Sequence, residues 1–331
     1  MRASVIIPAF NGAATIAAAI RSALDQRCAD DFEIIVVNDG STDGTQAILE
    51  SFGDRLRIVN QPNRGLPAAR NAAAAIAGGD YLALLDQDDL WLPEKLARTI
   101  APLERDPDLV LSYSDLVPVD DGGAPAGPSP ITAALARPPT MDDLLRQWWP
   151  ILPSTVVIRH TTFIRCGGFF EGYRRAYEDV DFWLRARECG GFAYLAEPLV
   201  IYRTTPIHAR MGRYEESYAL FRRRIMDRYG ARASALLGAT RDAYVSTLGY
   251  RGLLAMRSGD RAAARQFFWR ALRYHPTKLR TVLRLLRTFL PMRLARALSG
   301  SRPGPSSQFD ARSSACVGSR RACSDRPYSP R

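Results

Sequence analysis

The stretch Gly79-Asp80-Tyr81-Leu82-Ala83-Leu84-Leu85-Asp86-Gln87-Asp88-Asp89-Leu90-Trp91 passes from an apolar run straight into three carboxylates. A short, fully apolar run is the pattern of a strand buried on both faces of a parallel sheet. Polar groups that follow such a strand lie at the carboxyl edge of the sheet, where open α/β folds bind ligands. Asp86 and Asp88 stand two residues apart, on one side of an extended chain or crowded into one turn. Two anions held that close repel each other and call for a cation. Hard oxygen ligands suit Mg2+ or Mn2+ accompanying a phosphate-bearing substrate. The same acids also suit the first turn of a helix, where the macrodipole favours negative charge, and both readings stand at this point.

Upstream, strands and helices alternate. Ser4 to Pro8 reads as a strand, Asn11-Gly12 as a turn, and Thr15 to Leu24 as a helix with Ile16, Ile20 and Leu24 on one face. A strand over Asp31 to Val37, a helix over Gln46 to Phe52, a short strand over Leu56 to Val59 and an Ala-rich helix over Ala68 to Ile76 follow. This rhythm predicts an α/β fold, a mostly parallel sheet flanked by helices with right-handed crossovers. Polar residues cluster after every strand, which puts them on one edge. Asp39 can accept the imide N–H of uracil or thymine there, with Gly40 letting the base approach closely, or the Asp39–Asp43 segment can simply start a helix. Arg64 and Arg70 can fork onto a phosphate, and Arg70 can equally hold Asp86 or Asp88 in place.

Downstream, regularity fades from Asp115 to Pro153, with a breaker-rich surface loop over Asp120 to Pro130. Met141 to Trp149 reads as a short helix whose Trp148 and Trp149 are core residues or a platform for a sugar ring. Strands are expected over Ser154 to Arg159, Phe192 to Leu195 and Leu199 to Arg203. Tyr177 to Ala186 carries a helical stripe, Val180, Trp183 and Leu184. Glu178 and Asp179 in its first turn are either ordinary N-terminal acids or, facing the crevice, a general base. His208 follows in a loop and is a candidate metal ligand.

The 331 residues hold no run of 18 apolar residues, and the N-terminus lacks the apolar core and cleavage site of a secretory signal. The five cysteines (28, 166, 189, 316, 323) form no C-x-x-C pair, so reduced thiols and a cytoplasmic location are expected. The net charge of +11 is unevenly spread: residues 1–203 hold 19 basic and 27 acidic residues, residues 204–298 hold 20 and 5. With the candidate site acidic and the excess confined to helical sequence, an anionic membrane surface explains the split at least as well as a nucleic acid, and no nucleic-acid partner is expected.

Taken in order, Val5–Asn11, Glu33–Thr45, Asn63–Asn71, Asp80–Asp89 and Tyr177–Arg185 resemble the family 2 glycosyltransferases of GT-A fold. The resemblance covers roughly residues 3–210. It implies an inverting single displacement from a nucleotide-sugar donor, UDP- or dTDP-linked, onto a saccharide or lipid-linked acceptor, in cell-surface polysaccharide or glycolipid synthesis. Pro8, Ala9 and Asn11 match the nucleotide-contacting loop, Asp39 the base-binding residue, and Asp179 the catalytic base with Glu178 beside it. Asp86 and Asp88 match the D-x-D pair around Gln87, with Asp88 the direct ligand of Mn2+ or Mg2+. The Q-x-x-R-W motif of processive synthases is absent after the Glu-Asp pair, which implies one sugar per encounter. Alternatives are a sugar-phosphate nucleotidyltransferase, whose Gly-rich basic loop Pro8–Gly12 lacks, and a non-catalytic membrane-docked scaffold.

Leu248, Gly252, Ala255, Ala264, Phe268, Ala271 and Pro276 fall at the spacing of one tetratricopeptide-like helical hairpin with Gly259-Asp260 as its turn. Thr277 to Leu290 reads as a basic amphipathic helix whose apolar stripe either packs on the domain or lies on an anionic leaflet at the inner face of the plasma membrane. The expected organisation is a GT-A domain over 1–210, a basic helical region over 211–298 and a disordered tail over 299–331.

Overall fold

The computed structural model describes residues 3–289 apart from 29–30, 121, 132–136, 147–149, 174–175, 205–206 and 277–278, and only the backbone of 207–216, 243, 247, 257 and 279–280. The Trp148–Trp149 platform and the tail 299–331 lie outside the described residues.

The first half alternates as the sequence predicts: β1 (Ala3–Ala9), α1 (Ile16–Leu24), β2 (Phe32–Asp39), α2 (Thr45–Glu50), β3 (Arg57–Gln61), α3 (Leu66–Ile76) and β4 (Tyr81–Leu84). These four strands pair in parallel in the order β3-β2-β1-β4. β5 (Leu90–Trp91), α4 (Lys95–Arg105), β6 (Leu109–Val119), α5 (Met141–Arg146), β7 (Val156–Arg159), α6 (His160–Arg165), α7 (Glu178–Cys189) and β8 (Gly191–Arg203) complete the α/β part. They extend the sheet to β3-β2-β1-β4-β7-β6-β8-β5.

Three departures from the expectation belong to this second half. β7 pairs antiparallel with both β4 and β6, so the sheet is mixed. β6 falls partly where regularity was expected to fade. Its Ser112, Ser114 and Asp115 are buried, and Pro118 sits near its end, so its composition does not look like a strand. The two strands expected at 192–195 and 199–203 are one strand, β8. Its partner changes from Ser114↔Leu195 to Asp115↔Pro198, so Ala196 and Glu197 bulge out and Pro198 sits at the irregularity, where a missing N–H is tolerated.

α4 packs beneath the sheet and carries a fully buried lysine. The Lys95 amine lies 3.9 Å from the Trp91 ring centroid and 3.4 Å from the Val156 carbonyl. Burial pushes this amine well below the ordinary lysine range. A depressed folded-state value means that the unfolded chain binds the extra proton at pH values between the folded and the ordinary one, so stability rises with pH there until unfolded lysine also deprotonates near about 10.4. Lys95→Met is expected to stabilise the fold by about 1–2 kcal/mol at pH 7, and the gain should shrink by pH 10. Thermal melts at the two pH values check this.

The C-terminal third is helical: α8 (Ile207–Tyr229), α9 (Ser234–Arg257), α10 (Arg261–Tyr274) and α11 (Leu279–Arg287). α9 and α10 form the expected tetratricopeptide-like hairpin. Gly259 turns the chain at φ +85°, and Asp260 caps α10 by accepting from the Ala263 N–H at 2.9 Å. A Cβ at Gly252 would lie 2.5 Å from the Phe268 ring, so this glycine allows the two helices to close on each other. Phe221, Ile225, Tyr244, Leu248 and Ala271 belong to the same buried cluster as the sheet residues. The hairpin therefore has its face covered by α8 and the α/β part, as a single repeat requires. Among the described residues no helix is long and apolar enough to cross a membrane.

Candidate active site

The acids of the opening motif do not start a helix. Leu90–Trp91 form β5, which pairs with Ile201–Val200 of β8, and the next helix begins only at Lys95. The Asp86–Asp89 turn stands instead at the carboxyl end of β4, on the edge where β1, β2 and β3 also end. Asp89 fastens it: its buried carboxyl accepts from the Ser154 hydroxyl at 2.5 Å and from the Arg203 N–H at 3.0 Å, while the Asp86 N–H donates to Ser154 Oγ at 3.0 Å. Burial, and then the charges of Asp88 and Asp86, push the Asp89 carboxyl well above its usual range. Nothing in the sequence singles out Ser154 for this part.

Four direct links join the five motif segments. Asn11, at φ +48°, donates its N–H to Ser41 Oγ at 3.0 Å and accepts from the Thr42 N–H at 2.8 Å, joining the β1 loop to the β2 loop. Pro8 and Ala9 are buried at the end of β1 just before this loop. Gln87 accepts from the Phe10 N–H at 2.9 Å and donates to the Phe10 carbonyl at 3.1 Å, tying the β1 loop to the acidic turn. Asp39 is buried and accepts from Gln61 Nε2 at 2.7 Å and from the N–H groups of Arg64 and Gly65 at 2.8 Å each. It thus clasps the β3–α3 loop to β2. Gly40, at φ +75°, makes room for that loop, since a Cβ there would meet the Asn63 nitrogen at 2.7 Å.

The fourth link is Arg70, only 1% exposed. Its Nη2 donates to Asp86 Oδ1 at 2.6 Å and its Nη1 to Glu178 Oε1 at 3.2 Å, with the Phe169 ring centroid 5.3 Å from the guanidinium carbon. Of the two roles the sequence allowed, this is the acid-holding one. Arg64 instead lies at the surface and pairs with Glu171 at 2.8 Å. Asn71 stitches α3 to the Gly167–Glu171 turn by donating to the Phe169 carbonyl at 2.8 Å and accepting from the Phe169 N–H at 2.9 Å.

Glu178 and Asp179 open α7 in different settings. Glu178 is buried against Arg70, and its Oε2 has no hydrogen-bond partner among the described residues. Burial raises its carboxyl above the usual range. Asp179 is half-buried and accepts from the adjacent Val180 N–H at 2.8 Å. Burial, then the neighbouring Glu178 charge, push its carboxyl up to about 7. The preceding Tyr177 takes φ +73°, left-handed backbone that is costly for a residue with a side chain. It is buried and stacked on Phe221 of α8, centroids 4.5 Å apart and planes 18° apart.

His208 corrects one expectation: its backbone lies in the first turn of α8, not in a loop, and its side chain is outside the described residues. Among the described residues no cluster of three or more His, Cys, Asp or Glu stands ready to cage a metal. Asp86 and Asp88 nevertheless fit a hard divalent cation that takes one or two carboxylates and completes its shell with water and substrate phosphates.

The profile of the family described as glycosyl transferase family 2 matches residues 4–180, more than half the chain, taking in the first four motif segments and the start of the fifth, with Glu178 and Asp179. This chain belongs to glycosyl transferase family 2. Family relatives include a protein named glycosyltransferase EpsE from Bacillus subtilis, 30% identical over 199 residues, 58% of this chain and 69% of that one. The chondroitin synthase of Pasteurella multocida is 30% identical over 200 residues, but the match spans only 19% of that longer protein. The Escherichia coli protein named UDP-Glc:alpha-D-GlcNAc-diphosphoundecaprenol beta-1,3-glucosyltransferase WfaP is 34% identical over 161 residues, 48% of this chain and 61% of that one. Among solved structures, Staphylococcus aureus TarS 1-349 in complex with UDP aligns with a TM-score of 0.56 at 20% identity, covering 90% of this chain and 87% of that one. That likeness establishes the shared GT-A-type fold. Family membership makes the chain a glycosyltransferase rather than a nucleotidyltransferase.

Proposed function

We propose that this chain is an inverting, metal-dependent glycosyltransferase that passes one sugar at a time from a UDP- or dTDP-linked donor to a saccharide or lipid-linked acceptor. The single observation that carries the reading is Arg70, which joins the D-x-D turn and the Glu178-Asp179 pair through one guanidinium. A metal motif and a base motif far apart in sequence then share one crevice. The TarS structures in complex with UDP and UDP-GlcNAc, and the naming of WfaP for UDP-Glc and a diphosphoundecaprenol-linked sugar, support the uridine donor and the lipid-linked acceptor.

In this mechanism the β1 and β2 loops hold the nucleoside, with Asp39 as acceptor for the base imide. Its Oδ2 accepts from the Gly65 N–H, and a carboxylate oxygen has room for a second donor. Asp88 and the outer oxygen of Asp86 are the residues that would hold Mn2+ or Mg2+. When bound, such an ion supplies Lewis-acid neutralisation of the charge that develops on the departing diphosphate. Asp179 takes the proton of the acceptor hydroxyl, which is a poor nucleophile until a positioned carboxylate removes it. Glu178, fixed by Arg70, raises the proton affinity of Asp179 and stays out of the reaction. The acceptor oxygen attacks the anomeric carbon from the face opposite the leaving phosphate, so the configuration inverts.

The test is a panel of nucleotide sugars assayed for donor turnover with Mn2+ and then with excess chelator. Turnover of a UDP- or dTDP-sugar that falls about 100-fold or more without the ion and returns on adding it is expected. Turnover indifferent to chelation removes the metal from the proposal, and no turnover of any nucleotide sugar removes the proposal itself.

A further inference from the structure

The apolar stripe of the last described helix faces outward. α11 is seated between α9 and α10 by Thr281, Leu285 and Thr288, all buried, with Leu285 clustered with Ala264 and Phe268. Arg284 Nη1 lies over Gly249 of α9, 3.3 Å from where a Cβ would stand. Leu283, Leu286 and Phe289 are left 49%, 56% and 60% exposed. An amphipathic surface helix ordinarily buries that side against its own domain. Here the small polar side is buried and the large apolar side is presented.

The surface extends beyond one helix. The Arg265 guanidinium of α10 sits 4.9 Å from the Phe289 ring centroid, and Trp269, one turn further along the same side of α10, is 58% exposed. Residues 261–289 contain eight basic and no acidic residues. Exposed apolar side chains in a stretch with this excess of positive charge, with an indole beside them, match the boundary between acyl chains and anionic headgroups. A nucleic acid would meet the arginines and gain nothing from the leucines. An apolar protein groove would meet the leucines and leave the cations without counterparts.

We propose that α11 and the adjoining side of α10 dock the protein on an anionic lipid bilayer, with Leu283, Leu286 and Phe289 entering the boundary and the arginines meeting lipid phosphates. The inference stands on this surface and not on the proposed reaction. It is tested by co-sedimentation of the full chain with vesicles of phosphatidylcholine and phosphatidylglycerol at 3:1, against vesicles of phosphatidylcholine alone. The chain should favour the anionic vesicles at least tenfold and lose most of that preference in 0.5 M salt. The combined Leu283→Gln, Leu286→Gln and Phe289→Gln variant should bind at least tenfold more weakly. Its melting temperature should match the wild type, because the three side chains are exposed and Gln is a good helix former. Equal sedimentation of variant and wild type overturns the proposal. So does binding to duplex DNA, unaffected by the three substitutions, in a chain that ignores vesicles. A Leu286→Cys thiol shielded from a water-soluble maleimide in the free chain also overturns it, by showing that residues 290–331 cover the stripe.

Discussion

Asp179→Asn is expected to lower turnover by about 10²- to 10⁴-fold, the usual contribution of a positioned general base, while donor affinity stays where it was. The substitution keeps the shape of the side chain and its acceptor for the Val180 N–H and removes only the capacity to take a proton. Because the Asp179 carboxyl is pushed up to about 7, the base form is scarce in acid and turnover should climb with pH before levelling above that value. The stability effect has the opposite sense. The folded chain keeps the Asp179 proton up to about 7 while the unfolded chain loses it near the ordinary 3.8, so the contribution present in acid is lost as pH rises between the two. The Asn variant carries no such loss and should gain on the wild type between pH 4.5 and pH 8. Steady-state rates and melts across this range measure both effects, and an Asn variant with wild-type turnover removes Asp179 from its proposed part.

Arg70→Met should cost about 3–5 kcal/mol, the range for stripping one partner from a buried ion pair. It leaves Asp86 and Glu178 in a low-dielectric pocket with no guanidinium between them. For a chain of this size each kcal/mol moves the midpoint by about 2–4 °C, so a fall of roughly 6–20 °C is expected. Turnover should fall as well, since Asp86 loses the contact that aims it. Arg70→Lys keeps the charge but offers one point where Arg offers a fork, and should recover only part of both losses. A Met variant that melts within 2 °C of wild type would show that the two acids find other partners.

What the sequence discloses follows from how local each signal is. The first four strands are legible because each is a short apolar run closed by polar residues, and the helices between them are strongly periodic. β6 is not legible because it is buried on both faces with Ser112, Ser114 and Asp115 set among its Val, Leu and Tyr residues, and those polar residues look like loop until their neighbours are known. The antiparallel sense of β7 leaves no mark in the four residues Val156, Val157, Ile158 and Arg159. At the site, residue types could nominate Asp86, Asp88, Asp39 and Asp179. They could not say that Arg70 points inward, that Gln87 is occupied by the Phe10 backbone, or that Ser154 and Arg203 secure Asp89. Each of those is a contact between residues 65 or more positions apart, except that Arg70 reaches Asp86 across 16. The orientation of α11 was open for a related reason: a helix with apolar and threonine-bearing sides can be seated on either.

Tyr177 holds its left-handed backbone with its ring stacked on Phe221, and Phe221 lies 41 positions beyond the last residue of the family match. The smallest working unit of this enzyme therefore exceeds the span of its recognisable motifs. A fragment ending at residue 206 would retain every signature acid yet release the hinge from which Asp179 is hung, and grafting the motif-bearing portion onto a foreign tail would carry the letters without the keystone.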